Sequence, residues 1–250
     1  MDETFTGSRL QLMEVVDVWQ IDLDDASIPV ALLDKILSVA ERERAARFRF
    51  ERDAFRFKHC RAMLRMGLGC YLETPPWKIE LATRRYGKPY FPEAPALHFN
   101  VTHCRGLALI AFTEVGEVGI DVEAIDRPVE ALDIAKTHFC QRERDLIAAA
   151  PDSETQAEKF FSFWTRKEAV LKAAGCGLQG GLGNLDVSDD PTLVSFLSET
   201  ERSEPSLWRL QDLEMRKGYK AAIAAPPGNW IVRQTPIRFE SLLCCSSLLD

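Results

Sequence analysis

The order of secondary-structure signals along the chain is its strongest constraint. Residues 13–21, MEVVDVWQI, are rich in β-branched and aromatic types and read as a strand. Residues 41–72 contain no Pro and only two late Gly, which predicts a long helix. The run WKIELATRRYGKPYFP then reads as a strand entering a Gly-Lys-Pro turn. Alternation at Leu97, Phe99 and Val101 and an apolar run from Leu107 to Phe112 follow it, the pattern of an antiparallel sheet. After the polar connector Thr113 to Glu117 a second unit opens with a strand from Val118 to Glu123. It continues through helices near 129–136, 141–150 and 155–174 and closes with strands near 207–213 and 219–225. Its order echoes the first without a residue-level repeat. The expectation is two α+β halves, 1–114 and 115–225, with 226–250 adding a strand around Trp230 to Val232 and a tail, SLLCCSSLLD.

A chain of 250 residues can bury one large core or two modest ones. The seven cysteines are odd in number and never spaced as CxxC, so free thiols in a reducing cytoplasm are expected rather than disulfides or a zinc site. No stretch reads as a leader or a membrane span, and a net charge of −7 argues against a general nucleic-acid binder. Local charge differs. From Arg42 to Arg65 nine Lys and Arg residues face only Glu43, Glu51 and Asp53, which suits either a small polyanion or a salt-bridged, solvated helix face.

Three segments could carry chemistry. In GIDVE, strand alternation puts Asp121 and Glu123 on one face. Two close carboxylates call for a cation such as Mg²⁺, although the same pattern describes the polar side of a half-buried strand. In FFSFWTRKEAVLKAAG, Trp164, Lys167, Glu168, Leu171 and Lys172 recur at helical spacing. Glu168 and Lys172 read either as a surface ion pair or as a packed carboxylate with a phosphate-neutralising lysine. GCGLQG at 175–180 matches GxGxxG formally, but it follows a helix and puts Gly175 at a left-handed cap, which sets the dinucleotide reading aside. Lys88 sits in a rigid Gly-Lys-Pro turn, and His103 lies near a strand end with no ligand-spaced partner.

In order and spacing YGKP, FNVTH, GIDVE, FCQRE and FWTRKEAVLKAAGCGL resemble the full motif series of the Sfp-type 4′-phosphopantetheinyl transferases, from about Arg44 to about Leu182, with GYKAAIA resembling the closing strand. The resemblance implies two similar α+β halves around a pseudo-twofold axis, with coenzyme A bound in the cleft between them. Because single-half relatives form trimers, it also implies a monomer. The implied reaction transfers the 4′-phosphopantetheine arm of coenzyme A to a serine of an apo acyl or peptidyl carrier protein and releases adenosine 3′,5′-bisphosphate. It implies Asp121, Glu123 and Glu168 as ligands of Mg²⁺ (Mn²⁺ is the alternative), Glu168 also as base, Lys172 at the pyrophosphate, and Glu143 as a further acid. Arg44, Arg56, Lys88, His103 and Lys167 are implied as coenzyme A contacts, while Glu41 stands where a second basic residue is expected. The rival readings are a catalytically silent coenzyme A-binding or sensing protein and a binding module for RNA or another polyanion. Which carrier is the acceptor is left open.

Overall fold

The computed structural model describes residues 14–126, 130–177, 181–189, 192–196 and 206–243. The first half runs β1 (Val15–Asp22), α1 (Val30–Ile36), α2 (Val39–Ala45), α3 (Glu51–Leu72), the short pair β2 (Ala82–Thr83) and β3 (Pro89–Tyr90), then β4 (His98–Cys104) and β5 (Leu107–Thr113). The second runs β6 (Gly119–Ala124), α4 (Ala131–His138), α5 (Gln141–Ala148), α6 (Ser153–Ala174), β7 (Thr192–Phe196), β8 (Ser206–Asp212) and β9 (Tyr219–Ala225). β10 (Ile231–Pro236) and α7 (Phe239–Leu243) follow.

The two halves share one plan. A first strand leads to a long helix of 22 residues that ends in a left-handed cap, Glu73 (φ 51°) or Gly175 (φ 69°), and an antiparallel pair returns beside the first strand. The sheets are ordered β10-β1-β5-β4 and β6-β9-β8-β7, so β1-β5-β4 corresponds to β6-β9-β8. β10 leaves the second half and pairs in parallel with β1, Val15 opposite Ile231.

Three apolar clusters make the layers. Trp19, Met63, Phe112 and their neighbours fill the space between α3 and the first sheet, and Phe161, Val170, Ala222 and theirs fill that between α6 and the second. Val16, Val18, Leu109, Ile120 and Ile223 lie between the two sheets. β5 is buried at every position because both its faces are covered, which explains an uninterrupted apolar run where a half-exposed strand would alternate. Asp17, also buried, is satisfied by Arg233 of β10 and by the Tyr71 hydroxyl, so the closing strand is held to the first by charge as well as by its ladder.

Sequence and structure differ in places. The helix expected over 41–72 is two, α2 and α3, because the chain turns at Ala46–Phe48 and Phe48 then packs on Phe57 at 5.4 Å. The strand expected from Trp77 is a 3-10 turn at Pro76–Lys78, set by the preceding prolines, with only a two-residue ladder after it. β7 and α7 had no periodic signature. Leu242 and Leu243 of the tail fall in α7, while the Cys244–Cys245 pair lies outside the described residues.

Each long helix meets its sheet at a glycine. A Cβ on Gly67 would stand 2.4 Å from the Phe112 ring, and one on Gly119 would stand 2.0 Å from the Ala169 carbonyl oxygen of α6. The second contact is backbone and cannot be relieved by a rotamer change. Gly119→Ala is therefore expected to cost about 1–3 kcal/mol of stability as overpacking, measured by urea unfolding; an unchanged midpoint would contradict the close approach.

Candidate active site

The close approach at Gly119 brings Glu168 of α6 over Asp121 and Glu123 of β6. The seam where β4 runs beside β6 completes the arrangement. No backbone ladder joins these strands; side chains of β4 do. Asn100 Oδ1 accepts the Ile120 N–H at 2.9 Å, Thr102 Oγ1 donates to Asp121 Oδ1 at 3.1 Å, and Cys104 Sγ lies 3.6 Å from Glu123 Oε2 and accepts the Ala124 N–H. Alternation along β4 aims these three residues at β6, so one half of the molecule fixes the acids of the other.

Lys172 of α6 does not pair with Glu168 one turn back. Its Nζ donates to Asp121 Oδ1 at 2.6 Å and to the Ile120 carbonyl at 3.1 Å. Asp121 Oδ2 and Glu168 Oε1 are buried without a hydrogen-bond partner. Burial, then the Asp121 and Glu123 charges, raises the Glu168 carboxyl to about 7 against the partial offset of Lys172. Three carboxyls on one small volume, two with orphaned buried oxygens, are what a hard divalent cation satisfies.

A second feature opens beside the acids, a cavity of about 430 Å³ lined by Leu23, Arg44, Phe48, Asp53, Arg56, Phe57, His103 and Arg105. Arg44 lies over the Phe57 ring at 5.1 Å. Partial desolvation, followed by the charges of Lys172, Arg44 and Arg56, lowers the His103 pKa and keeps its imidazole neutral near pH 7. Arg56 is held in a bidentate pair with Asp24 at 2.6 Å. That carboxylate lies so close to Gly106 that a Cβ there would stand 2.2 Å from Asp24 Oδ2.

Arg105 was not anticipated. It occupies the first position of the two-residue turn between β4 and β5 with φ 55°, and its guanidinium is paired with Asp126 of the second half. The left-handed conformation costs a non-glycine residue about 1–2 kcal/mol, and an exposed ion pair returns at most about 1 kcal/mol. Arg-Gly between two strands marks the turn in the sequence, but only the backbone shows that the arginine takes the place glycine favours.

Other expected site residues lie elsewhere. Glu143 and Lys167 are both fully buried and paired at 2.8 Å, away from the cleft. Cys140 N–H and Val187 N–H also bind Glu143, and Lys167 donates to the Leu182 and Leu185 carbonyls. They brace α5 and α6 to the following loop. The pair also leaves the close grouping of Cys140, Glu143 and Asp186 with no need of a metal, since the lysine already supplies the cation. Lys88 is committed to Glu117 at 2.8 Å and the Val118 carbonyl, at the connector between the halves, and lines a different, smaller cavity. Glu41 closes a capping box with Ser38 and binds Arg61 and Arg65. Much of the basic stripe is therefore internal bracing, and only Arg44 and Arg56 of it reach the cavity.

A cluster of three carboxyls with two orphaned oxygens, near a cavity lined by cationic side chains and built from two α+β halves, fits an enzyme for a phosphate-bearing substrate. The family model of the 4′-phosphopantetheinyl transferase superfamily matches residues 117–224, and that of the 4′-phosphopantetheinyl transferase N-terminal region matches residues 26–114. The chain is 34% identical to the 4′-phosphopantetheinyl transferase HetI of Nostoc sp., over 88% of this chain and 91% of the relative. It is 29% identical to the 4′-phosphopantetheinyl transferase Sfp of Bacillus subtilis, over 83% and 90%. It is also 25% identical to the Xenopus laevis L-aminoadipate-semialdehyde dehydrogenase-phosphopantetheinyl transferase, over 78% and 70%. The chain belongs to the 4′-phosphopantetheinyl transferase family and is an enzyme that transfers phosphopantetheine to carrier proteins. The silent-sensor reading is not favoured. No helix among the described residues is long and apolar enough to cross a membrane.

Two outcomes follow. In EDTA the folded chain holds the Glu168 proton up to about pH 7, whereas the unfolded carboxyl releases it near 4.5, so the folded state binds more protons between these values. Stability should fall by about 1–3 kcal/mol as pH rises through that window, and Glu168→Gln should remove this slope in urea titrations; equal slopes in both proteins would refute the shift. Lys167→Met leaves Glu143 buried without its cation and is expected to cost about 3–5 kcal/mol. A Lys167→Met protein of unaltered stability but raised KM for coenzyme A would mark Lys167 as a cofactor contact and not a brace.

Proposed function

We propose that Asp121, Glu123 and Glu168 are the metal-binding acids, that Glu168 is the general base, and that the cavity of Arg44, Arg56 and His103 receives phosphate of coenzyme A. The observation that carries this reading is the pair of orphaned buried oxygens on Asp121 and Glu168, beside a lysine and next to a cationic cavity. Mg²⁺ is the ion that suits an all-carboxylate site shared with phosphate oxygens, and when bound it supplies Lewis-acid polarisation of the attacked phosphorus.

The chain's own residues do the rest. Glu168, with its carboxyl raised toward neutrality, accepts the proton of the carrier serine as the serine oxygen bonds to phosphorus and the adenosine 3′,5′-bisphosphate departs. Lys172 sits between Asp121 and the cleft, where it offsets charge on the leaving group. Thr102 keeps Asp121 turned toward that volume. His103, on the cavity wall, offers an imidazole hydrogen bond to phosphate. Lys88 supports the connector between the halves. Both halves of the site come from one chain, which supports a monomer, and the five described cysteines are free thiols, which supports the cytoplasm.

Intact-protein mass spectrometry of apo carrier proteins incubated with this chain, coenzyme A and Mg²⁺ tests the reading. A gain of one phosphopantetheine arm that EDTA abolishes is expected, and Glu168→Gln should lower the rate by about 10²–10⁴ while coenzyme A binding persists. Normal turnover by that variant would remove Glu168 from the chemistry.

A further inference from the structure

The cavity beside the acids is framed by more positive charge than it neutralises internally. Arg44 is engaged with an aromatic ring and not a carboxylate, Arg56 is shared with Asp24, and Asp53, the lining carboxylate, is itself paired with Arg52 at 3.6 Å. Arg105 also lines this cavity, yet its guanidinium is turned to Asp126, three residues beyond Glu123 on the other half. Without an anion in the cavity, the neighbouring cations repel a third guanidinium, and an exposed carboxylate at the rim is the available partner.

The backbone argues that the side chain is there for a purpose beyond this pair. A glycine would adopt φ 55° without strain, and the two partners are half-exposed, where an ion pair adds little to stability. A residue held in a disfavoured conformation at the mouth of a charged cavity points to a ligand contact. A side chain at Gly106, the next residue, would have to push the Asp24 carboxylate off Arg56, so position 105 is where this turn presents a cation without disturbing that pair.

We propose that Arg105 is a donor-binding residue parked on Asp126. When a phosphate-bearing donor enters, the guanidinium fork leaves the Asp126 carboxylate for phosphate oxygens, adding a bidentate contact to those of Arg44, Arg56 and His103. Asp126 is thus a competitor for Arg105, and donor binding releases a tie between the two halves. This assignment rests on the transferase reading of the same cleft.

The test uses the full chain and adenosine 3′,5′-bisphosphate as probe in titration calorimetry, with Arg105→Gly and Asp126→Asn as variants. Arg105→Gly should weaken binding about tenfold, with a melting temperature equal to or above that of the parent because the turn is relieved. In transfer assays its loss should fall on KM for coenzyme A and not on kcat. Asp126→Asn should bind the bisphosphate as tightly as the parent or more tightly. Parent-like affinity in Arg105→Gly would overturn the proposal, and so would equal weakening by both substitutions, since that marks the pair as a brace for the cavity. A parent that neither binds the bisphosphate nor modifies a carrier sinks the transferase reading and this assignment together. A parent that does both beside an unaltered Arg105→Gly sinks this assignment alone.

Discussion

Everything at the site depends on how closely α6 lies against β6. At Gly119 the helix backbone occupies the space a side chain would take, and one helix turn on from that contact Lys172 reaches both the Ile120 carbonyl and Asp121. Were the helix a methyl group further out, Glu168 would no longer share a volume with Asp121 and Glu123. The raised Glu168 carboxyl follows from the same approach, which excludes water and sets like charges together.

The second half does not hold its acids alone. β4 and β6 meet as sheet edges, and the groups that would form a ladder are replaced by Asn100, Thr102 and Cys104. Polar side chains at such a seam fix the relation of the halves while leaving their outer rim open. The cationic cavity lies on the other face of β4, reached by His103, so one strand feeds both the acid cluster and that cavity through its two alternating faces.

Charge in this protein falls into two populations that composition cannot separate. Glu143 with Lys167, Glu41 with Arg61 and Arg65, and Asp17 with Arg233 are buried or partly buried pairs whose remaining hydrogen bonds are satisfied, and they brace one element to another. Asp121 and Glu168 retain buried oxygens without partners.

The amino-acid sequence by itself determined the two-half α+β plan, the strand that carries Asp121 and Glu123 on one face, the long helices and the left-handed cap at Gly175. These are local matters of side-chain period and backbone freedom. Family resemblance in the ordered motifs supplied the reaction. Only the tertiary structure decided which charges are spent internally. Lys167 and Glu168 are adjacent in the chain, yet the 100° step of a helix sends one into the interior against Glu143 and the other toward Asp121 and Glu123. It alone showed that Glu41 closes a cap and binds two arginines, that Lys88 serves the connector, and that Arg105 stands where glycine is favoured. Each of these turns on a partner many residues away in the chain, and a partner distant in sequence leaves no mark in local periodicity.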